Sequence, residues 1–205
     1  TNVNMGDIIV NEMAYPPHSV VAQEAANFSN VTVTWQPPNP NAQTITEGFE
    51  GTTFPPENWS QIITDTGAAG TTGVLPTWCQ VGTIALTPAV PPHGGSYQAA
   101  MWWDYVHQDE WLITPQFVCP GNAVLQFWSY VYLGSTNGDH YYIKVSTDNG
   151  STWTVLWDAS TLTGGWNYYA TPITVDLNAY SGQQIKLAWQ ADDPPSNDGM
   201  WYVWF

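Results

Sequence analysis

The 205 residues contain no arginine and only two lysines, Lys144 and Lys186, against 11 Asp and 6 Glu, giving a formal net charge of −15. Phosphate backbones are held by Lys and Arg that displace counterions, so nucleic acid and anionic membrane surfaces are excluded as partners. Only two cysteines occur, and the four histidines (18, 93, 107 and 140) are scattered, so no zinc-like Cys/His spacing exists. No apolar run approaches the ~18 residues that insert into a bilayer. The residues that build long helices (Lys, Arg, Glu, Leu and Met) are scarce. A nucleophile elbow, a metalloprotease HExxH and a Ser-His-Asp order in recognisable context are also missing. Glycoside hydrolysis needs two carboxylates at a set separation, which no sequence can display. The chain reads as non-enzymatic.

What is present points the other way from disorder. The 13 Trp, 11 Tyr and 6 Phe supply a core despite the low charge content. Thr, Val, Trp, Tyr, Gly, Pro, Asn and Ser dominate, as in a β-protein with polar uncharged turns. Such a Lys-poor surface fits an extracellular location. Cys79 and Cys119 suit a disulfide in an oxidising compartment, which would stabilise by roughly 3–4 kcal/mol through loop closure. The alternative is two buried free thiols.

Strand signals recur along the chain: "DIIVNEM" (7–13), "NVTVTWQPP" (30–38), "YQAAMWW" (97–103), "EWLITPQF" (110–117), "AVLQFWSYVYL" (123–133), "HYYIKVS" (140–146), "TWTVLW" (152–157), "ATPITVDL" (170–177), "QIKLAWQ" (184–190) and "MWYVWF" (200–205). Their lengths and spacing predict an all-β, antiparallel jelly-roll sandwich. The Pro- and Asn-rich "PPNPNAQTIT" (37–46) reads as a linker. It sets residues 1–46, too few for their own core, apart from a main body over 47–205. The apolar ending at Phe205 is an unpaired edge or a point where the chain continues. "DDPPSND" (192–198) reads as an exposed loop, with cation binding as the alternative.

The densest chemistry lies in "STDNGSTW" (146–153), between two strands. Asn149-Gly150 tolerates the positive φ of a hairpin tip. Asp148 can accept from turn N–H groups, and Trp153 can fold over the hairpin. This loop reads as structural.

Its Ser146, Asp148, Gly150, Thr152 and Trp153 resemble the Asp-box hairpin of sialidases and many non-enzymatic secreted domains. A wider resemblance rests on "EGFEGTTFPPENW" (47–59), "DEWLITPQF" (109–117), "LQFWSYV" (125–131), "DHYYIKVSTDNGSTWTVLWDAS" (139–160) and "ITVDLNAYSGQQIKLAWQ" (173–190), in that order. Together they look like the cleaved-adhesin, or choice-of-anchor J, domains of bacterial surface proteins, relatives of MAM-type jelly rolls. Residues 15–38 resemble the first strands of a fibronectin type III-like segment. The resemblance implies a calcium-stabilised jelly roll in an adhesive secreted protein. It places Glu50 and Asp109 near the metal, with Glu47, Glu110 and Asp139 as secondary ligands. The family's closing acidic pair does not follow "WYVWF" here, which leaves part of that metal site in doubt.

Trp102 and Trp103 sit on opposite faces of a predicted strand, so one can offer a stacking surface to sugar or protein. Three functions follow. The first is an extracellular adhesion module that binds protein or glycan, packed against neighbouring domains. The second is a self-assembling filament subunit, in which residues 6–13 complete the sheet of another copy. The third is a carbohydrate-binding module.

Overall fold

A computed structural model describes residues 18–24, 31–36, 44–131, 138–161, 171–193 and 203–204. The chain divides into two compact units, Thr1–Thr44 and Ile45–Phe205. In the first, β1 (His18–Glu24) pairs antiparallel with β2 (Val31–Gln36), from Glu24 opposite Val31 to His18 opposite Gln36. The strand expected over 7–13 lies outside the described residues.

The second unit holds β3 (Ser60–Ile62), β4 (Cys79–Val81), β5 (Gln98–Met101), β6 (Asp109–Ile113), β7 (Phe117–Val118), β8 (Val124–Phe127), β9 (Tyr130–Val131), β10 (His140–Ser146), β11 (Thr154–Asp158), β12 (Ile173–Asp176), β13 (Gln184–Asp192) and β14 (Val203–Trp204). Its largest sheet runs β11-β10-β13-β6-β3, with β7 also on β13. A second sheet runs β4-β5-β14-β9, and β12 pairs with β8. All pairings are antiparallel.

Period-2 alternation decides which face is buried. In β10, Tyr141, Ile143 and Val145 are buried while His140, Tyr142 and Lys144 are only partly covered. With Leu112 of β6 and Ile185, Leu187 and Trp189 of β13 they form one wall of the main core. Ala99 and Met101 of β5, Phe127 of β8 and Val175 of β12 form the other. This is the expected sandwich. Each fully buried large aliphatic side chain contributes about 1.5–3 kcal/mol. A smaller core gathers Val74, Cys79, Ile84, Val90, Ala100 and Tyr130.

Two long predicted strands are broken, each for a physical reason. "EWLITPQF" splits at Pro115, which has no N–H for the ladder. Thr114 covers the gap: its N–H donates to Leu187 O and its Oγ1 accepts from Leu187 N, both at 2.9 Å. "AVLQFWSYVYL" divides because β8 pairs with β12 whereas β9 pairs with β14, so the chain changes sheets at Trp128–Ser129. Strands β3 and β4 escaped sequence reading. They are three residues long and carry no apolar run.

The disulfide expectation is corrected: both cysteines are buried free thiols. Cys79 packs in the smaller core, its Sγ 3.4 Å from Ala100 O. Cys119 packs in the main core, its Sγ 3.6 Å from Leu177 O. Burial pushes both thiols up, away from the reactive thiolate.

Candidate functional site: an aromatic pocket over a polar hub

The approach to β6 carries a buried polar residue, Gln108, with no exposed surface. Its Nε2 donates to Pro76 O and to Trp102 O (2.8 Å), and its Oε1 accepts from Asp104 N (2.9 Å). Its own main-chain O accepts from Asp193 N at 2.8 Å. One uncharged side chain thus ties the 74–78 and 102–104 segments together. Trp102 N adds a bond to Leu75 O at 2.8 Å.

Two residues on and also fully buried stands Glu110. Its Oε1 accepts from Thr64 N (2.8 Å) and Asp65 N (2.7 Å), and its main-chain O accepts from Trp78 Nε1 at 3.2 Å. Burial raises the pKa of this carboxyl; the Asp65 charge adds to the rise, while the Thr77 hydroxyl and the two N–H groups oppose it. Asp65 Oδ1 accepts from Gly67 N at 2.7 Å. A Cβ at Gly67 would stand 2.8 Å from Asp104 Oδ2 and 3.0 Å from Asp65 Oδ1, so a side chain there would displace the Asp104 carboxylate.

Above this hub lies a pocket of about 240 Å³, walled by Trp102, Trp103 and Tyr105, with Val74 and Pro76 as apolar lining and Asp104 as a polar group. The two indoles go to different cores: Trp102 packs on the smaller one and Trp103 on the main one. Both are half-buried and keep surface in the pocket, although β5 ends at Met101 before either. Tyr105 is 70 % exposed and meets Trp103 edge-on, with ring centroids 4.8 Å apart at 89°.

The five acids placed near a metal by resemblance are dispersed. Glu50 Oε1 accepts from Ser96 N and Tyr97 N, both at 2.9 Å. That contact demands glycine at 95, where φ is +71° and a Cβ would meet Glu50 Oε1 at 2.2 Å. Glu47 accepts from Phe49 N. Asp109 Oδ1 accepts from Trp111 Nε1 (2.6 Å) and Gln190 Nε2 (2.7 Å). Among the described residues, no three His, Cys, Asp or Glu side chains are gathered as a metal would require.

Asp139 differs from the others. It stands one rung beyond the His140–Asp192 pair that ends the β10–β13 ladder, and so opposite Asp193. Both acids are buried, and their carboxyls meet each other rather than a donor from another residue. Burial, then contact with Asp193 and the charges of Asp193 and Asp192, pushes Asp139 up to about 8. Of the loop expected at 192–198, Asp192 closes β13 half-buried and Asp193 is fully buried, while 194–198 lie outside the described residues.

The "STDNGSTW" loop is a hairpin tip, with Asn149 at φ 61° and Gly150 at φ 97°. Ser146 Oγ donates to Asp148 Oδ1 (2.8 Å) and accepts from Gly150 N (2.8 Å). Asp148 accepts from Thr152 N (2.8 Å) and Thr152 Oγ1 (2.6 Å). Trp153 folds onto Trp111, with centroids 5.4 Å apart. These donors, Thr152 first, hold Asp148 down at about 2. A depressed carboxyl stabilises above its unfolded value and loses that contribution as pH falls through its folded value. The melting curves of the native protein and of Asp148→Asn should therefore converge as pH drops from about 4 to about 2. A gap that persists at pH 2 would remove Asp148 as the organiser of the turn.

Fold and pocket together define an antiparallel β-sandwich with a small aromatic depression. The particular similarity is to Hemagglutinin A of Porphyromonas gingivalis (strain W83), 27% identical over 193 residues, which cover 82% of this chain. The chain spans 8% of that protein's length. No family model matches. Among solved structures, the K1 cleaved adhesin domain of Lys-gingipain from the same species aligns at TM-score 0.49 and 20% identity, covering 77% of this chain and 91% of that one. TmCBM61 in complex with β-1,4-galactotriose aligns at TM-score 0.46 and 19% identity, covering 77% of this chain and 93% of that one.

Proposed function

We propose that this chain is a non-enzymatic extracellular adhesion and binding module, and that it takes a neutral saccharide in the pocket at Trp102, Trp103 and Tyr105. The observation that carries this reading is the open aromatic wall, above all Tyr105 held edge-on to Trp103 with most of its surface in solvent. Aromatic faces stack on sugar rings, and the Asp104 carboxylate can accept from sugar hydroxyls. A volume near 240 Å³ is below the ~300–1,000 Å³ of whole-ligand sites, so the pocket takes one ring of a longer glycan at a time. The net charge of −15 disfavours sialylated or sulfated ligands. The similarity to a haemagglutinin supports the adhesive reading and the extracellular location.

The test is a glycan array followed by titration of the best hit. Tyr105→Ala and Trp103→Ala should each weaken binding at least about tenfold, as central aromatic contacts do. Tyr105→Ala should leave the melting temperature unchanged, because the ring is exposed. Binding unaffected by both substitutions, or hits confined to acidic glycans, would overturn the proposal.

A further inference from the structure

The walls of the aromatic pocket come from two segments that no strand ladder fixes. Residues 74–78 precede β4, and residues 102–105 follow the end of β5 at Met101. Pro76 has no N–H, so its main chain can be held only through its carbonyl. Contact groups on such irregular backbone need a support of their own, because a looseness of about 1 Å is enough to spoil a binding site.

The chemistry of residue 108 answers that need. Gln108 is completely buried, and its amide bonds only to main-chain groups of three pocket residues: Pro76 O, Trp102 O and Asp104 N. The position demands two donors and one acceptor at the end of a single arm. Among uncharged side chains only an amide carries both, and Asn is one methylene short. An ionised Glu would turn its charge on two carbonyl oxygens, Lys has no acceptor, and Met would orphan all three main-chain groups.

Gln108 is itself anchored. Its O accepts from Asp193 N at 2.8 Å, and β6 begins at the next residue and pairs with β13. The pocket is thus referred to the central sheet through one side chain. Tyr105 hangs on the same support, since its N–H donates to Asp104 Oδ1 at 2.6 Å while Asp104 N donates to Gln108.

We propose that Gln108 is the positioning residue of this pocket: it meets no ligand itself, and it sets glycan affinity by holding Trp102, Asp104 and, through Asp104, Tyr105 in their binding geometry. Ligand then pays little ordering cost, as at any preorganised site. The proposal rests on the saccharide reading of the pocket.

The test uses the whole chain and the neutral oligosaccharide that it binds most tightly on the array. Gln108→Met keeps the length of the side chain and removes all three bonds. It should weaken binding at least about tenfold, the scale on which loss of an outer-shell partner acts. A double-mutant cycle with Asp104→Ala separates positioning from bulk stability. If Gln108 acts through Asp104, the two losses fall short of additive, whereas a loss that only reflects a weaker fold adds in full. Hydrogen exchange of the native chain covers a methionine variant that fails to fold. The Trp102 and Asp104 amides should already be protected before ligand is added. Amides that exchange freely and become protected only with ligand overturn the proposal. So does Gln108→Met binding within about twofold of the native chain, or strict additivity in the cycle. A native chain that binds no neutral glycan, with both amides protected, sinks the saccharide reading and not the holding of the pocket by Gln108.

Discussion

Trp78→Ala should destabilise the protein by about 3–5 kcal/mol, the range for removing a large aromatic from a packed core. For a chain of this size that corresponds to a fall in melting temperature of roughly 6–20 °C. Trp78 is 2 % exposed and packs in the main core. Its removal leaves a void between the sheets and also strips Glu110 O of the indole N–H at 3.2 Å. Trp78→Phe separates the two effects. It keeps most of the volume and loses the donor, so about 1–3 kcal/mol should remain. Urea unfolding of the three proteins decides the matter. A loss below about 1 kcal/mol for the alanine variant would mean that the 74–78 segment is not part of the cooperative core.

Glu110 should show the second large effect, with opposite outcomes for two substitutions. Glu110→Ala orphans the Thr64 and Asp65 N–H groups and leaves a hole, at a cost of roughly 3–4 kcal/mol. Glu110→Gln keeps an oxygen for both donors and should cost less than about 1 kcal/mol. The pH dependence gives the sign. Burial holds the native carboxyl above its ordinary value of 4.5. A raised carboxyl contributes fully below the unfolded pKa and loses that contribution as pH rises through the folded one. The glutamine variant should therefore gain on the native protein between pH 4 and pH 7. Equal damage from Gln and Ala at neutral pH would show that the charge itself is required.

The strands with regular alternation could be read from the residues. "HYYIKVS" is β10 residue for residue, and "QIKLAWQ" lies wholly within β13. Alternation is a local signal, and burial of one face enforces it. The hairpin tip could be read for the same reason, since Ser146, Asp148, Gly150 and Thr152 satisfy one another within eight residues. What escaped depends on contacts far along the chain. Gln108 is one polar residue in "VHQDE", and nothing there announces that it will bridge residues 76, 102 and 104. Asp193 became a partner for Asp139 only through the β10–β13 register. Tyr105 stands two places from Trp103 in "MWWDY", beyond the end of β5, where no strand period places it against that ring. Glu50 and Asp109, which the resemblance places near a metal, each accept from two N–H donors that only the folded chain brings to them.

The placing of the two lysines has a consequence for proteolysis. Trypsin cleaves only after Lys or Arg, so these 205 residues offer it two bonds. Lys144 lies in β10, paired on both sides by β11 and β13, and Lys186 lies in β13 opposite Ser146. Neither bond can enter a protease cleft until the central strands separate. Frayed ends and surface loops, the usual first cuts, carry no trypsin site at all. Tryptic digestion of the native chain therefore measures opening of the sheet centre rather than local motion, and its rate tracks the population of the opened form.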